Sequence, residues 1–161
     1  MKVARFEKVS ITQFETDLNK LLNIEEDLYE NIKIPARATS GSAGYDFVSP
    51  VNFILKPNET IKIPTGIRCK IDDGYVLKIY PRSSLGFKYQ MALMNTVGII
   101  DADYYNADNE GHIICALVNR GDKDICINAG DRFVQGIFER YFLAEEEENT
   151  SIRRGGFGST N

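Results

Sequence analysis

Two aspartates and one arginine stand in settings where they could do chemistry. Asp46 closes the stretch SGSAGYDF (40–47), and Asp101 follows two isoleucines in NTVGIIDADYYNADNEGHI (95–113). Between them, PRSSLGFK (81–88) sets Arg82 beside Ser83 and Ser84, and GDRFVQGIF (130–138) carries Gln135. A carboxylate at a strand end can take a proton from water, and an arginine flanked by hydroxyls offers charge-assisted donors to an anion. Each stretch taken singly is also an ordinary turn, rich in glycine and small polar residues. The chain ends on RRGGFGSTN (153–161), which has two readings. It is either a frayed terminus or a glycine-permitted cradle, in which Arg153 or Arg154 and the hydroxyls of Ser159 and Thr160 hold an anion and Phe157 caps a planar ligand.

Other chemistries have little support. His112 is the only histidine, which removes multi-histidine zinc sites and serine–histidine–aspartate triads with ordinary partners. Cys69, Cys115 and Cys126 form no CxxC pair, and an odd number suits no closed disulfide framework. Cys69 and Cys115 alternate with apolar residues and read as small core side chains of a cytoplasmic protein. The net charge of −4 argues against direct nucleic-acid binding but leaves room for a small anionic ligand. No apolar run approaches the roughly 18 residues of a membrane span, and MKVARFEKVS lacks a signal-peptide core. The acids of 101–110 could suggest a calcium loop, but Tyr105 and Asn106 fall where such a loop needs a ligand and a glycine. A solvated loop tip is the better reading.

Elements that could position these residues follow from periodicity. Residues 12–30 read as an amphipathic helix, with Thr12 and Glu15 at capping-box spacing and Phe14, Leu18, Leu21 and Leu22 on one face. Glu25, Glu26, Asp27 and Glu30 read as its solvated side. After Pro35 the period becomes two. Phe53/Leu55, Ile61/Ile63, Ile67/Cys69/Ile71, Tyr75/Leu77/Ile79, Ile113/Cys115/Leu117 and Ile125/Ile127 each alternate between turn signals. Short strands punctuated about every 8 to 12 residues predict an all-β barrel or jelly-roll-like sandwich. The organisation expected is an N-terminal strand and helix (1–34), a β-barrel (35–144), and an acidic linker with a C-terminal arm (145–161).

In this order, the four stretches and the terminal RGGFGST together resemble the five motifs of the trimeric dUTPase family, over about four-fifths of the chain. The resemblance implies a jelly-roll-like β-barrel assembled as a homotrimer. It implies hydrolysis of dUTP to dUMP and pyrophosphate by water attacking the α-phosphorus, which limits uracil in DNA and supplies dUMP for thymidylate synthesis. Mg²⁺ would be held by the substrate phosphates and by waters, with Asp46 holding water ligands rather than the metal. By the same resemblance Asp101 activates water, Arg82 and Ser83 organise the site and contact bridging phosphate oxygens, and Gln135 contacts phosphate. Ser84 follows that pair. The hairpin from Asn95 to Asp101, with Gly98 and Ile100, would read uracil through its backbone, and Tyr104 would pack under the deoxyribose and exclude a 2′-hydroxyl. The tail would be the family's mobile arm, commonly serving another subunit. Phe157 would stack on uracil, Arg154 would meet the γ-phosphate, and Gly158, Ser159 and Thr160 would complete the phosphate contacts.

The sequence departs from the pattern at three points. Six residues (105–110) separate Tyr104 from Gly111, Ser84 replaces the common glycine, and Asn161 replaces a terminal glycine. RSSL also resembles the related dCTP deaminases, which need a catalytic glutamate in the strand after the hairpin. That strand is IICALVN here, with Ala116 at the position concerned. A binding module that has lost catalysis is the remaining rival, and it has no need of Asp46, Asp101 and the tail together.

Overall fold

The structure is a computed structural model, described here for residues 1–145. Arg154, Phe157, Gly158, Ser159 and Thr160 lie outside the described residues. Those residues form twelve strands and two α-helices: β1 (Ala4–Lys8), α1 (Ile11–Leu22), β2 (Ala36–Arg37), β3 (Tyr45–Val48), β4 (Phe53–Leu55), β5 (Thr60–Pro64), β6 (Ile67–Ile71), β7 (Tyr75–Pro81), α2 (Ser83–Tyr89), β8 (Met91–Leu93), β9 (Gly98–Ile100), β10 (Ile114–Asn119), β11 (Ile125–Ile127) and β12 (Arg132–Arg140). The alternation read from the sequence is borne out where it was longest. In β6 Ile67, Cys69 and Ile71 are buried while Arg68 and Lys70 are not, and in β10 Cys115 and Leu117 are buried between half-buried neighbours.

The strands form four ladders, ordered β1-β6, β5-β10-β8, β11-β4 and β2-β3-β12-β7-β9. Among the described residues none of these ladders closes on itself, so the fold is mostly β without a closed barrel. β12 is the spine of the largest sheet, paired antiparallel with β3 on one side and β7 on the other. No helix among the described residues is long and apolar enough to cross a membrane.

The sequence reading of the first helix is corrected at both ends. Ser10, not Thr12, is the N-cap, and its hydroxyl accepts the Gln13 N–H at 3.1 Å. The helix stops at Leu22 because Asn23 adopts the left-handed conformation (φ 55°) and its N–H closes on Asn19 and Leu18 carbonyls. Phe14 and Leu18 are fully buried, in one core with Ile32, Phe47, Ile63, Leu117 and Phe133. Burial of each contributes on the order of 1.5–3 kcal/mol, so α1 belongs to the core of the fold.

Three further differences concern the site. PRSSLGFK is not a plain loop: Arg82 is the N-cap of the two-turn helix α2. The segment from Asn95 to Asp101 is not a paired hairpin. β8 pairs with β10 while β9 pairs with β7, so residues 94–97 carry the chain around a corner from one sheet to the other. The stretch 105–110 is not a solvated tip either, because it is docked on the N-terminal segment. The Glu110 carboxylate accepts the Ser10 N–H at 2.8 Å and its hydroxyl at 2.6 Å, and these bonds hold Glu110 below the usual carboxylate range. The Tyr105 hydroxyl donates to Glu7 at 2.7 Å, and the Arg68 guanidinium lies 3.6 Å from the Tyr105 ring centre.

Candidate active site

Two groups of residues gather from the four stretches. The first is polar and is built on the register of β12. Asp46 of β3 stands opposite Gln135, which in turn stands opposite Tyr80 of β7. Residues directly opposite share a face of the sheet, so the Asp46 and Gln135 side chains point the same way. Arg82 leaves the end of β7 beside them, with its N–H donating to the Phe133 carbonyl at 3.3 Å. Its Nε lies 3.0 Å from Asp46 Oδ1.

A second arginine completes this group, and the sequence reading missed it. Arg132 Nη1 donates to Asp46 Oδ2 at 3.1 Å. Arg132 and Gln135 are three apart, which in a regular strand puts them on opposite faces. The register of β12 slips between Arg132 and Val134, so Phe133 and Val134 are both buried and the two polar residues return to one face. One carboxylate held by two guanidinium groups leaves a net positive charge, which suits a polyanion. Each Asp46 oxygen has two acceptor sites, so one arginine contact apiece leaves room for further donors such as metal-bound water. Among the described residues no three His, Cys, Asp or Glu side chains gather as ligands for a metal ion.

Gly44 belongs to this group through its lack of a side chain. A Cβ on Gly44 would lie 2.7 Å from Gln135 Oε1, so the carboxamide occupies the space a methyl group would need. Gly44→Ala is therefore expected to leave thermal stability nearly unchanged, because only the end of a flexible side chain must move. It should lower kcat/KM about 10-fold, the scale on which a displaced polar contact of 1–2 kcal/mol is felt. A melting curve and initial rates check this. An unchanged kcat/KM would take Gln135 out of the site.

The second group is a cavity of about 150 Å³ whose lining includes Ile79, Asn95, Gly98, Ile100, Tyr104 and Ala116. β9 lies close against β7 here: a Cβ on Gly98 would come within 3.0 Å of Ile79 Cβ. Asn95 is exposed at the corner, where the Val97 N–H returns to its carbonyl at 2.7 Å. Tyr104 is 6% exposed and donates its hydroxyl to the His112 carbonyl at 2.8 Å. Asp101 is half-buried next to Ile100 and starts the 3₁₀ turn Ala102–Asn106, its carbonyl accepting the Tyr104 N–H at 3.2 Å. Ala116 puts a methyl group on the wall where a deaminase would need its glutamate.

Ser83 and Ser84 are exposed in the first turn of α2, beside Arg82. Cys69 and Cys115 are buried, which pushes both thiols up to about 12 and makes them unreactive core side chains. The lone histidine is buried too, against Asp17 of α1.

The family model described as dUTPase matches residues 30–161. The deoxyuridine 5′-triphosphate nucleotidohydrolase of Lactococcus lactis subsp. lactis (strain IL1403) is 44% identical over 137 residues, 82% of this chain and 91% of that protein. Among solved structures, a dUTPase from Streptococcus mutans is similar with TM-score 0.67 and 33% identity, covering 87% of this chain and 98% of that one. A dUTPase from phage phi11 of S. aureus, solved to show coordination of a structural Mg(II) ion, has TM-score 0.68 at 20% identity, over 93% of this chain and 98% of its own. That last likeness speaks for the fold alone. From residue 30 onward the sequence, the fold and the grouping of the motif residues lead to one assignment: this chain belongs to the dUTPase family, and it is a dUTP diphosphatase.

Proposed function

We propose that the chain releases dUMP and pyrophosphate from dUTP by attack of water on the α-phosphorus, with Mg²⁺ carried in on the triphosphate. Two observations support it best: a compact cavity, walled by Tyr104 and the Asn95–Ile100 corner, and a separate polar group of net positive charge on the other face of the sheet, which a neighbouring subunit could bring to a cavity. A planar base and its sugar suit the cavity, and a triphosphate suits the arginines. The backbone of the corner offers C=O and N–H groups to uracil's pairing edge. Cytosine would leave one such group unmatched, at a cost of about 1–3 kcal/mol.

The residues divide the work. Asp101 takes a proton from the attacking water. Arg82, Arg132 and Gln135 bind and orient the phosphates, with Ser83 and Ser84 adding hydroxyl donors. Asp46 fixes both guanidinium groups and offers its free acceptor sites to the waters of the metal. Bound Mg²⁺ supplies charge neutralisation on the phosphate oxygens. Arg154, Phe157, Gly158, Ser159 and Thr160 contact the γ-phosphate and the base from the C-terminal arm, in a cytoplasmic homotrimer whose subunits exchange arms. The product dUMP would feed thymidylate synthesis.

Incubation with dUTP, UTP and dCTP plus Mg²⁺ in ¹⁸O-labelled water tests this. The expected result is dUMP and pyrophosphate from dUTP, with the label in dUMP and little turnover of the other two nucleotides. Label in pyrophosphate would move the attack to the β-phosphorus, and deamination of dCTP would overturn the reading.

A further inference from the structure

The N-terminal segment precedes most of the matched stretch, packs Phe6 against Tyr45, Phe47 and Phe138, and ends in the support of the cavity wall. His112 is fully buried and sits immediately after the inserted stretch and Gly111. The Gly66 N–H donates to His112 Nε2 at 2.8 Å, so that nitrogen carries no proton. The proton is on Nδ1, which donates to Asp17 Oδ2 at 2.6 Å. Asp17 also receives the Gln13 amide at 2.8 Å. Burial pushes the Asp17 carboxyl upward, yet the bonds from His112 and Gln13 outweigh it and hold the group below its ordinary range. The histidine ring is thus fixed at both nitrogens, and its backbone carbonyl is the acceptor of the Tyr104 hydroxyl. Asn109 donates to that same hydroxyl at 2.9 Å.

We propose that Asp17 is a positioning residue for sugar selection: through the His112 ring it holds the carbonyl that fixes the Tyr104 ring against the cavity. This rests on the reading of Tyr104 as the wall at the deoxyribose. Asp17 itself touches no substrate. The two ends of the inserted stretch strengthen the assignment. Just after Tyr104, Tyr105 is tied to Glu7 and stacked on Arg68, and just before Gly111, Glu110 is tied to Ser10. Tyr104 is therefore clamped from both chain directions by β1 and α1. Without the Asp17 carboxylate the buried Nδ1–H has lost its acceptor, the ring turns to find another, and the carbonyl under the Tyr104 hydroxyl moves with it.

The test is the ratio of kcat/KM for dUTP to kcat/KM for UTP, measured well below the melting temperature of each variant. Asp17→Ala should lower the ratio about three- to tenfold, the scale on which residues remote from a ligand tune a site. Asp17→Asn, which keeps an acceptor for Nδ1–H, should restore most of it. Tyr104→Ala should lower the ratio further, and Asp17→Ala added to Tyr104→Ala should cost nothing more, since the two act through one ring. A purely structural role for Asp17 would lower the melting temperature and leave the ratio alone, and that result overturns the proposal. If Asp17→Ala does not fold, Tyr104→Phe reads the same link, because it cuts the bond to the His112 carbonyl and keeps the ring. An unchanged ratio there overturns the proposal equally. An unchanged ratio in Tyr104→Ala would instead remove Tyr104 as the sugar wall, and both readings with it.

Discussion

Asp101→Asn is expected to reduce kcat about 10²- to 10⁴-fold, the usual contribution of a positioned general base, with nucleotide affinity preserved. The substitution keeps the shape of the side chain and removes only its ability to accept a proton. Local structure should survive it. Asp101 has extended backbone (φ −79°, ψ 158°) at the start of a 3₁₀ turn, and its backbone carbonyl, which the substitution leaves in place, accepts the Tyr104 N–H. The side chain makes no capping hydrogen bond to the turn, so exchanging carboxylate for carboxamide removes no cap. Single-turnover rates with dUTP, together with binding of a non-hydrolysable dUTP analogue, separate chemistry from affinity. Near-native turnover would move the base elsewhere, whereas lost affinity would make Asp101 a binding group.

What could be read in the sequence depended on how local its cause was. β6 and β10 were legible because each presents buried and less buried residues in strict alternation over five or six positions. β8 and β9 were not, being three residues long and lying in different sheets, so no run of alternation marks them and no local feature shows the corner between them. The helix α1 was overextended because Ile24 and Leu28 keep apolar side chains in step beyond its true end. The stop signal is Asn23, one of the residues that tolerates left-handed backbone. α2 was hidden by its shortness, with Gly86 in its middle and no room for an amphipathic repeat.

The site divides in the same manner. Asp46, Arg82 and Gln135 could be picked out because the stretches that carry them, taken together and in order, resemble the motifs of the dUTPase family; singly each reads as an ordinary turn. Arg132 lay inside one of those stretches and was passed over, since the face it occupies depends on a bulge that strand periodicity does not announce. The Asp17–His112 pair spans 95 residues and has no local signature at all. The sequence reading placed Asp17 in an amphipathic helix and took His112 only as a lone histidine that supports neither a triad nor a multi-histidine zinc site. The acids of 105–110 were read as solvated by composition, but Glu110 is spent on the cap of α1.

The second large effect is expected at the C-terminus. A chain ending at Ile152 should fold and bind dUTP weakly, with kcat/KM reduced about 10²- to 10⁴-fold. That range combines about 1–3 kcal/mol for one stacked base with about 1.5–3 kcal/mol for a hydrogen bond to a charged group, the parts assigned to Phe157 and Arg154. Folding should not suffer, because the deleted sequence has no apolar periodicity, and the buried core of the described residues runs from Val9 to Val134. Phe157→Ala alone should lose less, about 5- to 150-fold, since only the stacking is removed. Arm exchange makes a sharper demand. Truncated chains keep Asp101 and lack the arm; full-length Asp101→Asn chains keep the arm and lack the base. On the proposed homotrimer with exchanged arms, mixed assemblies of the two should recover activity that neither has alone, since the proposal lets an arm from one subunit serve an intact site on another. Verified hybrids without recovery would assign each arm to its own subunit. A truncated chain with full activity would return RRGGFGSTN to the status of an ordinary frayed terminus, and the phosphate contacts would then have to come from Arg82, Ser83, Ser84, Arg132 and Gln135.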